Sequence, residues 1–248
     1  MQTNPKTIVI TGASSGIGAA TAKQLVSQGN RIVLAARNNQ KLTAISNQFT
    51  EEQQNNTLVV ATDVVNADAV AKLAAQTIER FGRIDVWING AGIMPQSTFI
   101  EGRIDDWNHM IDVNIRGTLN GIHSALPIMR DQKAGQFINI ASVAAHDTHP
   151  GGGVYSATKA AVWMISEALR QEEAVAKSNV RVTVVSPGAV NTGLLNSVTD
   201  ANTKKAMESY YDNYAIAPER IAQAITDTIN LPADSAINEV VIRPTSQV

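Results

Sequence analysis

Tyr155 and Lys159 stand four residues apart at the start of a long stretch with helical composition. Four residues make about one helical turn, so a helix would place both side chains on one face. A phenol has an ordinary pKa near ~10, and a neighbouring ammonium favours the phenolate and would lower that pKa. The pair therefore predicts a tyrosine that works as a general acid and base. A solvated helix face is the alternative interpretation of this spacing when it stands alone.

A glycine-rich turn near the N-terminus supports the chemical interpretation. A β-branched run at residues 8–11 leads into Gly12, Gly16 and Gly18, and a helical segment follows. Strand, turn and helix in this order favour a nucleotide site, because glycines let the backbone approach a pyrophosphate and the helix N-terminus attracts the anion. The spacing is Gly-x-x-x-Gly-x-Gly, not the Gly-x-Gly-x-x-Gly of most dinucleotide folds. A plain glycine-rich turn is the alternative.

The end of the second predicted strand bears on the choice of cofactor. Ala36 and Arg37 stand there, about twenty residues beyond the glycine turn, where an acidic residue would bind ribose hydroxyls and repel a 2′-phosphate. A guanidinium can hold a phosphate through two donors, and Ser14 and Ser15 could add hydroxyl donors. The sequence thus predicts NADP(H) as the cofactor, and a solvated strand-end arginine is the alternative.

Together these motifs resemble the short-chain dehydrogenase/reductase family, and the resemblance covers essentially the whole chain. Tyr155-x-x-x-Lys159, with Ser142 thirteen residues upstream, matches the family's catalytic core, and Asn114 matches its fourth catalytic member. The resemblance implies that Tyr155 exchanges a proton with the substrate oxygen while Ser142 donates to that oxygen. It also implies that Lys159 binds the nicotinamide ribose and that Asn114 holds a water linking Lys159 to solvent. The predicted catalytic residues are therefore Asn114, Ser142, Tyr155 and Lys159.

Three further family landmarks imply cofactor contacts. Asp63 and Val64 match the adenine contact, the segment 89–92 should flank the cofactor and stabilise the central strands, and the segment 187–192 should close over the nicotinamide. The family more often has Asn where this chain has Gly90, so we expect backbone contacts there. The predicted cofactor-binding residues are Gly12, Ser14, Ser15, Gly16, Ile17, Gly18, Arg37, Asp63, Val64, Asn89, Ala91, Gly92, Tyr155, Lys159, Pro187, Gly188, Val190 and Thr192.

Short apolar runs alternate with longer helical stretches along the chain, which predicts an α/β fold: a Rossmann-like, doubly wound parallel sheet of seven strands with helices on both faces. One catalytic domain is expected to cover residues 1–248. The predicted strands are 7–11, 31–36, 57–61, 84–89, 136–141, 181–186 and 239–242. The predicted helices are 17–28, 39–49, 67–81, 107–130, 154–176 and 218–230. Residues 146–153 and 192–217 are predicted to be irregular, and the resemblance implies that the second stretch is a flexible loop over the substrate.

Composition narrows the function classes. The chain has 248 residues, 44% hydrophobic and 17% charged, and a net charge of −2, which gives no basic field for nucleic acid or an anionic membrane. There is no cysteine, so disulfides and thiol chemistry are excluded. We expect no signal peptide, no membrane span and a cytoplasmic location. His123, His146 and His149 lack metal-binding spacing, so no metal is expected.

The sequence therefore predicts an NADP-dependent alcohol dehydrogenase or carbonyl reductase acting on a small or medium hydrophobic ketone or secondary alcohol. A reductase of 3-oxoacyl-carrier-protein is one alternative, which would need a basic surface patch beside the entrance of the site. Arg103 or Lys204 could supply a cation for a carboxylate or CoA substrate. A nucleotide-sensing protein without turnover is the other. The resemblance implies that helices 107–130 and 154–176 pair between subunits in a homotetramer or homodimer. The residues expected to form an apolar pocket are Ile93, Met94, Val143, Ala144, Ala145, Leu194 and Leu195.

Overall fold

Seven parallel strands form one sheet at the centre of this computed structural model, which describes residues 5–247. Residues 1–4, where we expect no signal peptide, and Val248 lie outside the described part of the chain. The strand order is β3-β2-β1-β4-β5-β6-β7, so β1 pairs with both β2 and β4. The strands are β1 Thr7–Thr11, β2 Arg31–Ala36, β3 Thr57–Ala61, β4 Val86–Asn89, β5 Gly135–Ile140, β6 Val180–Pro187 and β7 Glu239–Ile242.

Helices cover both faces of the sheet, which explains why the strands are apolar throughout rather than alternating. On one face, Ile8 and Ile10 of β1 pack with residues of the first and last helices. On the other face, Val9 packs with residues of the fourth, sixth and seventh helices. The helices are α1 Gly16–Ser27, α2 Asn39–Ser46, α3 Glu51–Asn55, α4 Ala67–Phe81, α5 Ile104–Met110, α6 Gly117–Gln132, α7 Gly153–Ala176, α8 Ala201–Tyr214 and α9 Pro218–Ile229.

The predicted fold class is confirmed, but three helical segments differ from the prediction. The predicted helix 107–130 is divided by a π-helical turn at Ile111–Arg116 that separates α5 from α6. The stretch 192–217, predicted to be irregular, contains α8, which Asp200 caps by accepting a hydrogen bond from the Thr203 amide at 2.7 Å. The short helix α3 was not predicted; Thr50 and Gln53 form a capping box that starts it. The polar composition of the stretch 192–217 suggested a loop, but polar residues are also typical of helix starts.

The carboxyl ends of β1 and β4 lie side by side, with Thr11 paired to Asn89. The chain leaves β1 toward one half of the sheet and β4 toward the other, so this is the point at which open α/β sheets bind ligands. Within residues 5–247, no helix combines the length and the apolar character needed to cross a membrane.

Candidate active site

A cleft of about 1100 Å³ follows the carboxyl ends of the strands, from the turn after β1 to the start of α7. Of the predicted cofactor residues, all but Asn89 line this cleft, and three of the predicted catalytic residues line it as well. The exception among the catalytic residues is Asn114. The topology therefore gathers residues from the whole length of the chain along one edge of the sheet.

The glycine turn lies so close to the chain after β4 that side chains would not fit. Gly12 has a φ of +72°, and a Cβ there would lie 2.6 Å from the carbonyl oxygen of Gly90. A Cβ on Gly90 would in turn lie 2.7 Å from the carbonyl oxygen of Thr11. The departure from the family pattern at Gly90 therefore has a packing reason in this chain, since a side chain would separate β1 from the segment after β4.

The first turn of α1 suits an anion. Ser15 occupies the N-cap position, and its side chain makes no capping hydrogen bond within the described structure. The first backbone N–H groups of a helix lack intrahelical partners and carry a partial positive charge. Together with the glycines beside them, these groups fit a pyrophosphate.

The opposite wall of the cleft comes from the segment after β6. Thr192 faces the glycine turn, and a Cβ on Gly16 would lie 2.9 Å from the Thr192 side chain. Gln247, near the end of the chain, accepts a hydrogen bond from the Ala189 amide at 2.9 Å and lines the cleft beside Gly188. The sequence carried no signal for Gln247, because only folding brings the C-terminal segment back to this loop.

Two cations, Arg37 and Lys41, line the far end of the cleft, and both are exposed. Lys41 was not predicted from the sequence. Its position is set by the start of α2, where the Asn38 side chain accepts a hydrogen bond from the Lys41 amide at 2.9 Å. Asp63 lines the same end, and its side chain accepts a hydrogen bond from the Val65 amide at 3.1 Å.

Tyr155 and Lys159 lie one turn apart on α7, and both side chains are buried. Lys159 Nζ donates a hydrogen bond to the carbonyl oxygen of Ile140 at 2.8 Å and lies 5.8 Å from the centroid of the Tyr155 ring. The spacing of the two residues therefore puts them on one face, as predicted, but the ammonium bonds to the end of β5 and stands over the ring.

The expected lowering of the Tyr155 pKa is wrong. Burial raises the pKa of Tyr155 well above its ordinary value, and Tyr211 adds to the increase, while the Ser142 hydroxyl acts in the opposite direction. Burial also lowers the pKa of Lys159 to about 8. Both shifts have one physical cause, since removal from water disfavours the charged form of an acid and of a base alike.

Ser142 follows β5 and lies beside the phenol. Its Oγ accepts a hydrogen bond from the Ala144 amide at 3.1 Å and donates one to the carbonyl oxygen of Pro187 at 3.4 Å. These contacts hold the hydroxyl between the segments that follow β5 and β6, where it faces the cleft.

Asn114 lies behind the cleft, in the π-helical turn. Its Oδ1 accepts a hydrogen bond from the Ile93 amide at 2.9 Å, and its Nδ2 donates to Ile93 O and Thr158 Oγ1, each at 3.0 Å. A Cβ on Gly92 would lie 3.4 Å from Asn114 Oδ1 and 3.5 Å from Lys159 Nζ. Gly92 therefore places no side chain of its own between the amide of Asn114 and the ammonium.

Asn89 is turned away from the cleft, contrary to the expectation that it flanks the cofactor. Its Oδ1 accepts a hydrogen bond from Trp87 Nε1 at 2.9 Å, and its Nδ2 donates to Asn139 Oδ1 at 2.8 Å. Asn139 continues the chain of bonds to Ser166 of α7. Side chains alternate along a strand, so Asn89 faces the layer of helices and ties β4 to β5 and α7. These hydrogen bonds agree with the other part of the prediction, that the segment 89–92 stabilises the central strands.

The substrate end of the cleft is mostly apolar, and Ile93, Met94, Val143, Ala144 and Leu194 line it as predicted. Ala145 and Leu195 do not line it; they belong to neighbouring apolar clusters. Helix α8, which lies in the stretch that the sequence analysis predicted to be an irregular loop over the substrate, also lines the cleft, and the loop after β4 adds one polar residue. The added residues are Gln96 of that loop and Thr203, Ala206, Met207, Tyr210 and Tyr211 of α8.

Two histidines lie at or near the cleft. His146 Nε2 lies 2.6 Å from Glu239 Oε1, and His149 lies in the loop before α7, where it lines the cleft. Among residues 5–247, no group of three His, Cys, Asp or Glu side chains is arranged to hold a metal ion.

Comparison with known proteins gives a family match and a relative of similar length. A family described as short chain dehydrogenase matches residues 6–203. An uncharacterized oxidoreductase of Staphylococcus saprophyticus is 48% identical over 242 residues, which cover 98% of this chain and 97% of that protein.

Two solved structures share the fold. An alcohol dehydrogenase from the archaeon Thermococcus sibiricus, complexed with 5-hydroxy-NADP, superposes with a TM-score of 0.87 and 28% identity, with 99% of each chain covered. A short chain dehydrogenase/reductase from Burkholderia phymatum, in complex with NAD, superposes with a TM-score of 0.88 and 26% identity, covering 97% of this chain and 90% of that one.

Proposed function

The chain belongs to the short-chain dehydrogenase family, and we propose that it is an NADP(H)-dependent carbonyl reductase and alcohol dehydrogenase. The observation that carries the proposal is the placement of Tyr155, with Ser142 and Lys159, in a cleft that continues to the glycine turn. A nicotinamide cofactor would lie along this cleft with its pyrophosphate at the N-terminus of α1 and its reactive ring beside Tyr155.

The cofactor, when bound, supplies the hydride that is added to the carbonyl carbon. Tyr155 donates a proton to the carbonyl oxygen, and Ser142 donates a hydrogen bond to the charge that develops on that oxygen. The raised pKa of Tyr155 keeps the phenol protonated, which suits the reduction direction. Lys159 stabilises the phenolate that remains after proton transfer, and Asn114, behind Gly92, is proposed to link the ammonium to solvent through water.

The two cations at the far end of the cleft support the choice of NADP(H). Arg37 follows β2, where an acidic residue would select NAD, and Lys41 adds a second positive charge at the same end. The solved neighbours include complexes with an NADP derivative and with NAD, so the preference rests on these two side chains.

The apolar substrate end supports a ketone or secondary alcohol over an acyl-carrier substrate. Arg103, a candidate cation for a carboxylate or CoA substrate, forms an ion pair with Asp200 at 3.3 Å and another with Glu101 at 3.4 Å. Neither Arg103 nor Lys204 lines the cleft. A sensor without turnover is disfavoured, because the chain retains all four predicted catalytic side chains.

Assembly into a homotetramer or homodimer is part of the proposal. Ile111 of the π-helical turn, Leu119 of α6 and Met164 of α7 expose 42%, 44% and 60% of their surface. The helix α7 packs against both α5 and the π-helical turn, so these apolar side chains lie on neighbouring elements. Large apolar side chains exposed on adjacent helices are typical of an interface between subunits.

The function is tested by following NADPH consumption with a panel of aryl and aliphatic ketones. Replacement of Tyr155 by Phe removes the transferable proton but keeps the ring, so turnover should fall by about 10²–10⁴ while cofactor binding is retained. Tyr214→Phe is the matched control, because Tyr214 is on α8 but does not line the cleft. Tight NADPH binding without turnover of any ketone would favour the sensor, and normal turnover by Tyr155→Phe would remove Tyr155 from the mechanism.

A further inference from the structure

Gln96 is a buried polar side chain at the apolar substrate end of the cleft. It is only 3% exposed, yet it lines the same cavity as Met94, Tyr155 and Tyr211. Within the described part of the chain, no group forms a hydrogen bond with its Oε1. Buried amide oxygens in native proteins nearly always have a partner, so an unpartnered one beside a ligand cavity points to a partner that arrives with the ligand.

The backbone around Gln96 holds its position. The backbone N–H of Gln96 donates a hydrogen bond to the carbonyl oxygen of Met94 at 2.8 Å. The backbone N–H of Met94 donates one to Ser197 Oγ at the same distance. Ser197 also donates to Leu194 O at 2.6 Å, so its hydroxyl is already engaged on both sides. The loop after β4 is thereby attached to the segment after β6, and within residues 5–247 the enclosed side-chain Oε1 of Gln96 has no hydrogen-bond partner.

The charged side chains that line the cleft bear on what Gln96 can bind. Besides Arg37 and Lys41 at the far end, they are Asp63, Asp147, Lys159 and Arg243. Arg103 is held by Asp200 and Glu101, so it does not supply a cation for a carboxylate. Asp147 lines the cleft and would repel an anion. Burial raises the pKa of the Tyr211 phenol to about 12, which leaves a neutral hydroxyl in the same cavity. A side-chain amide both donates and accepts, so it suits an uncharged hydroxyl or carbonyl group.

We propose that Gln96 binds a second, uncharged oxygen-bearing group of the substrate, so that the preferred substrates are hydroxyketones, diketones and keto esters or amides rather than simple hydrocarbon ketones. This inference rests on the proposed function and names its substrate class. In each turnover a C–H and an O–H bond form at one carbonyl carbon and its oxygen, NADPH is oxidised, and the second group is unchanged. Its role is to fix which carbonyl faces Tyr155.

The test compares two ketones of similar size that differ at one group. Acetoin carries a hydroxyl where methyl isopropyl ketone carries a methyl. The measured quantity is the ratio of their kcat/KM values in the wild type and in Gln96→Leu, which keeps the volume and removes the amide. Intrinsic reactivity of the two ketones cancels when the two ratios are compared. We expect the preference for acetoin to fall about tenfold in Gln96→Leu, because a site that hydrogen-bonds a hydroxyl discriminates against its absence.

A matched control separates recognition from the general effect of removing a buried amide. Gln76 on α4 also has a buried Oε1 without a partner among the described residues, but it does not line the cleft, so Gln76→Leu should leave the ratio unchanged. Gln96→Met replaces Gln96→Leu if the latter fails to fold. An unchanged ratio in the folded Gln96 variant overturns this inference alone. If the wild type reduces other ketones of the panel but neither of these two, the inference alone is overturned. If it binds NADPH but reduces no ketone of the panel, the proposed function and the inference are overturned together.

Discussion

Raising the pH should turn ketone reduction off and alcohol oxidation on, with a common midpoint near the pKa of Lys159. Burial lowers this pKa from 10.5 to about 8, while burial raises the pKa of Tyr155. Well below pH 8 the pair is fully protonated, with a neutral phenol and a charged ammonium. Reduction needs this state, because Tyr155 gives up its proton and the ammonium stabilises the phenolate that remains. Oxidation needs the pair to have lost one proton.

The size of the effect follows from the position of that pKa. Each pH unit above about 8 reduces the fully protonated fraction about tenfold, so reduction at pH 9 should retain about a tenth of its rate at pH 7. If both groups kept their ordinary values near ~10, the rate would be almost constant over the same interval. The predicted loss between pH 7 and 9 therefore reports the burial of Lys159 specifically.

The assay measures kcat/KM for the ketone with saturating NADPH and for the alcohol with saturating NADP⁺, at constant ionic strength. A kinetic isotope effect with deuterated NADPH establishes that hydride transfer limits the rate. Lys159→Arg is the decisive variant: a guanidinium stays charged, so its reduction activity, although lower, should not fall between pH 7 and 9. Parallel profiles for the two directions, or the same midpoint in Lys159→Arg, would refute the assignment.

Two further predictions concern the cofactor and the assembly. The wild type should prefer NADPH over NADH by about ten- to a hundredfold in kcat/KM, as expected for a charge-assisted phosphate contact, and Ala36→Asp combined with Arg37→Leu should reverse this preference. Equal use of NADH and NADPH by the wild type would make Arg37 only a surface charge. Light scattering should give a particle of at least twice the 26.4 kDa chain mass, and Met164→Lys should weaken the association; a monomer at micromolar concentration would contradict it.

Local sequence was sufficient for the parts of the fold and the site that depend on neighbouring residues. Continuous β-branched runs predicted the strands, because both faces of a parallel sheet are covered and local apolar character is the whole signal. The glycines at positions 12, 16 and 18 marked a turn that only they can form. The spacing of Tyr155 and Lys159 required only a helix to place the two residues on one face.

Tertiary structure decided the properties that depend on what surrounds a residue. The direction of the Tyr155 pKa was predicted wrongly, because a sequence shows that Lys159 is near but not that both groups are removed from water. Asn89 was assigned to the cleft, yet the pleat of β4 turns its side chain toward Trp87 and Asn139.

Residues distant in sequence also entered the site only through folding. Lys41, Gln96, Tyr211 and Gln247 come from four separate segments, and no local pattern marks any of them as a neighbour of Tyr155. The sequence by itself determined the strands, the glycine turn and the tyrosine–lysine pair, because these features are encoded by residues at short spacing. Burial, side-chain direction and the polar contact available to a substrate were decided by packing between distant segments, since each is a property of the assembled surroundings rather than of the residue.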